Sequence, residues 1–268
     1  MMMKKGIYIL SMLATLFIVT SCEDVIELDL KTQEPRIVID AVLDGSDGTL
    51  TVRCSKTVDF YSNNVSDPIS GAQIVLSDNT DKSFIIEEVE PGLYVLDGYD
   101  VTSTVTYTLK VIIDDEEYIA SAIAPFPSII QEVVILPVDI QGPPDEILFY
   151  SVNAGWFDVA GRENFYRVLM YKNDTLEGSS YSLYNDKEND GELMFYSTLT
   201  NGLEPGDEIA VELLSIDEEM YNYFEQVADM QSSGFSAAAP YNPKGNFNND
   251  ILGYFGICYS NKKEVVVQ

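Results

Sequence analysis

The stretch TVTYTLKVIID, Thr104 to Asp114, decides the fold class of this chain. Large apolar residues stand at every second position, and mostly threonine or lysine stands between them. This two-residue period places the apolar side chains on one face of a β-strand, whereas a helix needs them three and four positions apart. The inward positions are Val105, Tyr107, Leu109, Val111 and Ile113. The stretch therefore predicts a strand with one face buried in a core.

The chain before this strand has the same period. RIVIDAVL (36–43) and TLTVRCS (49–55) both alternate, and the polar turn 44–48 between them is typical of a hairpin. Further short alternating segments with turn signals continue as far as Pro125. Many short strands at regular spacing indicate a sandwich, so residues 36–125 are predicted to form an N-terminal domain of immunoglobulin or transthyretin type.

Residues 126–268 predict a second β domain that follows a proline-rich crossover. One helix is expected near residues 216–231, with Ser215 and Glu218 as a capping box. The fold class is therefore all-β, with two β-sandwich-like domains and one helix inserted before the last strand of the C-terminal domain. The predicted strands of this domain are ILFYSVNAGWF, NFYRVLMYKND, GELMFYSTL, DEIAVELLSI and a last strand that follows AAPYNPKGNFNND.

The N-terminus has the features of a lipoprotein signal peptide. Lys4 and Lys5 precede an apolar run, Gly6 to Val19, which is shorter than the roughly 20 residues of a membrane-spanning helix. The following string, Val19 to Cys22, resembles a bacterial lipobox, in which the cysteine thiol takes a lipid and becomes the new N-terminus. We therefore expect a signal peptide over residues 1–21, lipid attachment at Cys22, and an acidic tether over residues 22–35.

Composition excludes several functional classes. The formal net charge of −29 argues against nucleic acid as a partner, because phosphate binding requires clustered Lys and Arg. The same charge would be repelled by an anionic membrane surface, so membrane attachment must come from the lipid. The chain has no histidine, which removes Ser-His-Asp and Cys-His catalysis and His-ligated zinc. We therefore predict no enzyme, no catalytic residue and no cofactor.

Two cysteines remain after Cys22. Cys54 lies on the apolar face of a predicted strand, and Cys258 lies in GYFGICYS near the C-terminus. Export would permit a disulfide between them. Free buried thiols are favoured, because nothing in the sequence brings the two strands together.

Two acidic segments are candidate metal sites. Residues 185–193, NDKENDGEL, carry oxygen ligands at alternating positions like the start of a calcium loop, but Ser197 stands where such a loop needs a bidentate glutamate. The segment also lies between two strands, where Asp190-Gly191 suits an ordinary hairpin turn. The acidic run 114–117 is expected to be a solvated turn. We therefore predict no metal site.

Aromatic and loop residues of the second domain leave two interpretations open. Tyrosines in its loops and helix could stack on a glycan or peptide, but packing between structural elements is favoured. The loop residues Asn242, Pro243, Gly245 and Asn246 are expected to set loop geometry more than to contact a ligand. The tyrosines in question are Tyr181, Tyr184, Tyr221, Tyr223, Tyr241 and Tyr254.

Several segments taken in order resemble the Bacteroidota lipoprotein family called domain of unknown function 4249. The most telling is the N-P-x-x-N pattern of residues 242–246 followed by L-G-Y-F at 252–255. The resemblance implies an outer-membrane lipoprotein, often encoded beside a TonB-dependent receptor, and no established catalytic motif. The other segments are CEDVIELDL, ISGAQIVLSD, PGLYVL, TYTLKV, EEYIASA, NFYRVLMY and IDEEMYNYFEQV.

Two functional hypotheses follow. The first is a lipid-anchored protein of the outer membrane, facing the cell exterior, that serves as the accessory binding protein of a TonB-dependent nutrient-uptake system; its ligand is unknown. The second is a structural subunit of a surface polymer that resembles the lipoprotein fimbrillins. The second would need proteolysis after an arginine to free a groove for a donor strand, and Arg36 precedes the first strand.

Overall fold

Strands dominate the part of the chain that the computed structural model describes, which comprises residues 34–58, 66–80, 82–138, 149–232, 241–249 and 251–268. The predicted signal peptide, Cys22 and the tether as far as residue 33 lie outside it. The elements are β1 (Ile37–Asp44), β2 (Thr49–Lys56), β3 (Asp67–Pro68), β4 (Gln73–Asp78), β5 (Ser83–Glu90), β6 (Leu93–Leu96), β7 (Thr106–Ile113), β8 (Glu116–Ile123), β9 (Ile130–Val138), β10 (Phe149–Phe157), β11 (Phe165–Lys172), β12 (Thr175–Asn185), β13 (Leu193–Asn201), β14 (Glu208–Ile216), the helix α1 (Glu218–Ser232) and β15 (Leu252–Val266).

The N-terminal half is a sandwich around its own core. Strands β1, β2 and β6 pack against β4, β7 and β8, and β5 is shared because it pairs with β6 along one part and with β4 along the other. Tyr107, Leu109, Val111 and Ile113 of β7 are all buried, as their alternation predicts. Asp114 and Asp115 form an exposed turn with positive φ between β7 and β8, as predicted, whereas Glu116 and Glu117 of the same acidic run are exposed residues of β8.

The C-terminal half packs a three-stranded sheet, ordered β13-β10-β9, over β11, β12, β14 and the end of β15. Val152, Ala154 and Trp156 point inward from β10, which confirms the alternation seen in the sequence. Trp156 is fully buried and stacks edge-on against Tyr166 and Tyr184. The all-β sandwich class with one helix before the last strand is therefore correct for the described residues.

Strand β15 joins the two halves into one sheet. Residues 252–258 pair in parallel with β1, and residues 258–266 pair antiparallel with β14. Phe255 and Ile257 consequently belong to the N-terminal core, although they lie near the end of the chain. Residues Pro35–Gln268 form one compact unit. The predicted boundary between two domains at residue 125 stays a prediction. Strand β15 pairs with strands on both sides of that boundary.

Helix α1 packs against β15, β12 and β11, and it covers the junction of the two halves. Its cap differs from the one predicted. Ser215 is a strand residue of β14, paired with Tyr259, and Asp217 caps the helix by accepting the N–H of Met220 at 2.8 Å. The ladder of β14 occupies Ser215, which leaves capping to the first acidic residue after the strand. Among the described residues, no helix is both long and apolar enough to cross a membrane.

The segment 185–193 is not a hairpin, so that expectation was wrong. β12 pairs with β11 at the end of the large sheet, and β13 pairs with β10 at the end of the small one. The connection therefore passes from one layer of the sandwich to the other. Met194 and Tyr196 of β13 are buried, and Tyr184 of β12 is partly buried against the same core. Each strand therefore covers that core from its own side instead of pairing with its neighbour in sequence.

Candidate functional site

A cleft of about 450 Å³ opens where the two halves and the helix meet. It lies beside the ends of β8 and β14, and the loop between β10 and β11 forms another wall. Its volume falls within the roughly 300–1,000 Å³ typical of small-molecule sites. The lining is apolar at Ile123, Ala124, Pro125, Phe126, Phe165 and Ile216, hydroxylic at Thr104, Thr106, Ser121 and Tyr166, and charged or amidic at Arg162, Glu163, Asn164, Asp217, Glu218 and Glu219.

Charged side chains of both signs surround this cleft. The guanidinium of Arg162 lies 3.8 Å from the centre of the Phe126 ring, a cation–π contact that fixes one wall. Glu163, Glu218 and Glu219 are exposed around the opening. Glu218 and Glu219 lie in the first turn of the helix, where their negative charge stabilises its positive N-terminal end. The balance of charge around the opening is acidic.

Asp217 lines the cleft and is almost completely buried. One of its carboxylate oxygens accepts the N–H of Met220, and the other accepts the N–H of Ile257 in β15. Its own N–H donates to the carbonyl of Ile257 at 3.1 Å. Burial raises the pKa of Asp217 to about 7, and the two N–H donors act in the opposite direction. Asp217 therefore fastens the start of the helix to the last strand.

A second cluster brings together three carboxylates. Oxygens of Asp158, Asp186 and Asp190 lie within 4.8 Å of one another, and Asp158 and Asp186 are buried. Two of these residues come from the segment read as a possible calcium loop, and Asp158 comes from the end of β10. Sequence spacing could not reveal Asp158, because it lies 28 residues before Asp186 and meets it only when the layers pack.

Protein donors already serve the oxygens of this cluster. Tyr166 donates its hydroxyl to Asp158 at 2.6 Å, and the N–H of Gly191 donates to the other Asp158 oxygen at 2.8 Å. Asp186 accepts from the amide of Asn164 at 3.2 Å, and Asp190 accepts from the N–H of Gly161 at 2.7 Å. Calcium requires six to eight oxygen ligands. These three residues could supply part of such a set, but their hydrogen bonds already serve to hold the segment between β12 and β13 to the sandwich. The prediction of no metal stays a prediction.

The loop 242–249 acts through its geometry. Asn246 donates its side-chain amide to the carbonyl of Phe255 at 2.8 Å and accepts the N–H of Phe255 at 2.9 Å, as a neighbouring strand would. Asn248 accepts the N–H of Ile119 in β8 with its side-chain oxygen at 2.6 Å, and its own backbone N–H donates to the carbonyl of Ile119 at 2.8 Å. A Cβ on Gly245 would lie 1.8 Å from the carbonyl oxygen of Gly253. The loop therefore bridges the free edges of β8 and β15.

The tyrosines favoured as packing residues are mostly used in packing. Tyr223 of the helix stacks on Tyr254 of β15 with ring centres 4.5 Å apart, and Tyr221 of the helix packs on Phe165. Tyr184 packs on Trp156 in the C-terminal core. Only Tyr241 of the six is largely exposed. None of the six lines the cleft, whose residues Phe126 and Arg162 carried no signal in the sequence.

Cys54 and Cys258 are both buried free thiols, as expected. They lie on different strands that both pair with β1: Cys54 of β2 is paired with Ile39, and Cys258 of β15 is paired with Asp44. Burial raises the pKa of Cys54 to about 12 and raises that of Cys258 as well. Both thiols are therefore unreactive core residues.

The described residues form an all-β sandwich with a cleft between its halves. The chain belongs to the family described as domain of unknown function (DUF4249), whose model matches residues 23–264. Among curated proteins, none matches the chain.

Two solved structures show distant similarity. A segment of two fibronectin type-III domains from chicken tenascin is 17% identical, with a TM-score of 0.24. The match covers 68% of this chain and 90% of the tenascin segment. The adhesin InvE of Yersinia pseudotuberculosis is 15% identical, covers 68% of this chain and 55% of its own, and has a TM-score of 0.19.

Proposed function

We propose that this chain is a lipid-anchored protein of the outer-membrane surface that binds a small ligand for a TonB-dependent uptake system. The observation that carries the binding function is the cleft of about 450 Å³, with walls from both halves of the sandwich. The lipobox-like string before Cys22 supports the anchor. Membership in the family supports the receptor as partner, because the resemblance implies that location. No catalytic step is part of the proposal, since the chain has no histidine.

The lining defines the class of ligand. Ile123, Phe126 and Phe165 offer apolar surface, and threonine and serine hydroxyls offer hydrogen bonds. Three exposed glutamates outnumber the one guanidinium, which is engaged with Phe126. A small molecule with an apolar body and hydroxyl or cationic groups fits this lining best.

Growth tests the binding function. Deleting the gene should impair growth on one nutrient, and the wild-type chain should restore it. Ile123→Glu places a charge on the apolar wall of the cleft and should not restore growth, whereas Ile129→Glu should. Ile129→Glu is the matched control, because Ile123 and Ile129 are 58% and 59% exposed and, of the two, only Ile123 lines the cleft. Equal growth of the two variants would contradict a role for the cleft.

Fractionation tests the anchor separately. Cys22→Ala should release the protein from the membrane fraction and leave its N-terminus unlipidated, because one attachment carries all of the membrane binding. Cys54→Ala, a change at a buried thiol, should stay in the membrane fraction. An unmodified Cys22 in the wild-type protein, or its recovery from the cytoplasm, would contradict the proposal.

A structural subunit of a surface polymer is the second candidate function. One observation favours it: β13 is an edge strand without a single charged residue. Ladders of polymers that resist SDS, dependent on cleavage after Arg36, would support this function. The backbone of Arg36 is bonded to Thr57, so cleavage there leaves β1 in place between β2 and β15.

A further inference from the structure

The free edge of β8 is covered along one part and open along the next. In an antiparallel pair, alternate residues of an edge strand direct their N–H and C=O away from the partner strand. On β8 these residues include Ile119, Ser121 and Ile123, since Asn248 bonds both backbone groups of Ile119 and Asn246 bonds the carbonyl of Ser121. Among the described residues, none hydrogen-bonds to the N–H or C=O of Ile123. The covering loop therefore stops short of Ile123.

The uncovered part of this edge lies in the cleft. Ser121, Ile123, Ala124 and Pro125 all line it. Ser121 also lines the adjoining hollow between β8, the helix and the loop 242–249, so the covered part of the edge leads directly into the open part. The four steps from Ser121 to Pro125 span about 13 Å of extended chain. The open edge therefore accommodates about four residues of an added strand.

The backbone groups of this edge identify the kind of ligand. Unpaired N–H and C=O groups on an open sheet edge are matched by the C=O and N–H groups of a second extended peptide. Asn248 already bonds Ile119 in this way, by accepting its N–H and donating to its carbonyl. Ile123 presents the same two groups further along the edge. Phe126 and Phe165 add apolar wall to the cleft, which suits the side chains that an added strand directs to one face.

Charge around the opening selects among peptides. Glu163, Glu218 and Glu219 line the cleft and are exposed, whereas the guanidinium of Arg162 lies against Phe126. The whole chain carries a formal net charge of −29. Complementary charge attracts a ligand and like charge repels it, so a cationic peptide is favoured over an acidic one.

We propose that the ligand of the cleft is a short, extended, positively charged peptide that adds to β8 as a further edge strand along Ser121 to Pro125. Its backbone bonds the N–H and C=O of Ile123, an apolar side chain packs in the cleft, and its positive group lies near the glutamates of the opening. This inference rests on the proposed binding function, because it names the ligand class of the same cleft.

Peptide retention tests the ligand class. The full chain in detergent is mixed with two libraries of tetrapeptides that are acetylated and amidated at their ends and contain apolar and hydroxyl residues. One library carries a single lysine per peptide and the other a single glutamate. Ultrafiltration and mass spectrometry should show about tenfold greater retention of the lysine library, and added NaCl should narrow the difference. Glu219→Gln should weaken this retention, whereas Glu204→Gln, at an exposed glutamate outside the cleft lining, should not. No retention, or equal retention of both libraries, would overturn the proposal.

N-methylation of a retained peptide tests strand pairing without altering the protein. A methyl group removes the N–H of one peptide residue, and only alternate residues of a paired strand donate across the pairing. Methylation at one set of alternate positions should weaken binding about tenfold in calorimetry, because a backbone hydrogen bond is lost. Methylation at the other positions should weaken it much less. Equal losses at every position would show that the peptide does not bind as a strand.

Substitution at Ile123 tests the same pairing from the side of the protein. Ile123→Pro removes the N–H that faces the cleft, and proline is tolerated on edge strands. It should weaken peptide binding about tenfold relative to Ile123→Val, which keeps the N–H. Equal affinities would contradict the pairing. If no peptide binds but Ile123→Glu still fails to restore growth and Ile129→Glu restores it, the cleft keeps its binding function and only the peptide assignment is wrong.

Discussion

Replacing Asn246 by alanine should destabilise the whole fold, although the residue lies in a loop. Its side chain satisfies both the N–H and the carbonyl of Phe255, at 2.9 and 2.8 Å, and the side chain of Phe255 is fully buried. A buried backbone group left without a partner costs about 1–3 kcal/mol. Two such groups predict a loss of about 2–6 kcal/mol in the free energy of unfolding. The third bond, to the carbonyl of Ser121, is exposed and adds less.

Urea unfolding measures this loss. Trp156 is the only tryptophan of the chain and is fully buried in the C-terminal core, whereas Asn246 bonds to residues of the N-terminal core. Because β15 belongs to both halves, the midpoint reported by Trp156 fluorescence should fall together with the midpoint from far-UV circular dichroism. Asn242→Ala is the matched control, since Asn242 is an exposed residue of the same loop. It should change stability by less than about 0.5 kcal/mol.

Two results would refute this reasoning. If Asn246→Ala and Asn242→Ala unfold at the same urea concentration, the side-chain bonds to Phe255 contribute nothing that water cannot replace. If circular dichroism shifts and Trp156 fluorescence does not, the two halves unfold separately, and β15 does not couple them.

Three further predictions concern buried groups. Burial raises the pKa of Asp217 from 3.8 to about 7, so the contribution of this group to stability should be greatest below pH 4 and should be lost as the pH rises through 7. Urea midpoints measured between about pH 5 and 8 should therefore fall with pH. Asp217→Asn should flatten this dependence, whereas the control Glu218→Gln should not. Tyr166→Phe removes the 2.6 Å bond to buried Asp158 and should cost about 1–3 kcal/mol in thermal or urea unfolding, whereas Tyr150→Phe should cost less; equal losses would deny the bond any role. The thiols of Cys54 and Cys258 should react with a thiol reagent only after urea unfolds the protein, because both are buried and have raised pKa values; fast labelling of the native protein would contradict their placement.

Alternating apolar and polar residues suffice to predict most of the strands and their inward faces. The alternation of β7, β1, β2 and β10 predicts which side chains are buried, because adjacent residues of a strand must point to opposite sides. It also gave the helix before the last strand and the free state of the two cysteines. Asp217 directly precedes the helix and caps it, whereas the Ser215–Glu218 spacing fits the capping-box pattern without forming one, because Ser215 belongs to β14.

Which strands are neighbours, and which side chains meet, depends on how the whole chain packs. The parallel pairing of β15 with β1 joins residues more than 200 positions apart, and the passage of the chain from β12 to β13 changes layers instead of forming a hairpin. Alternation cannot predict either feature, because it fixes which way a side chain points and says nothing about which strand lies alongside. The cleft, the Asp158 cluster and the open edge of β8 follow from those neighbours, so none of them could be read from local sequence.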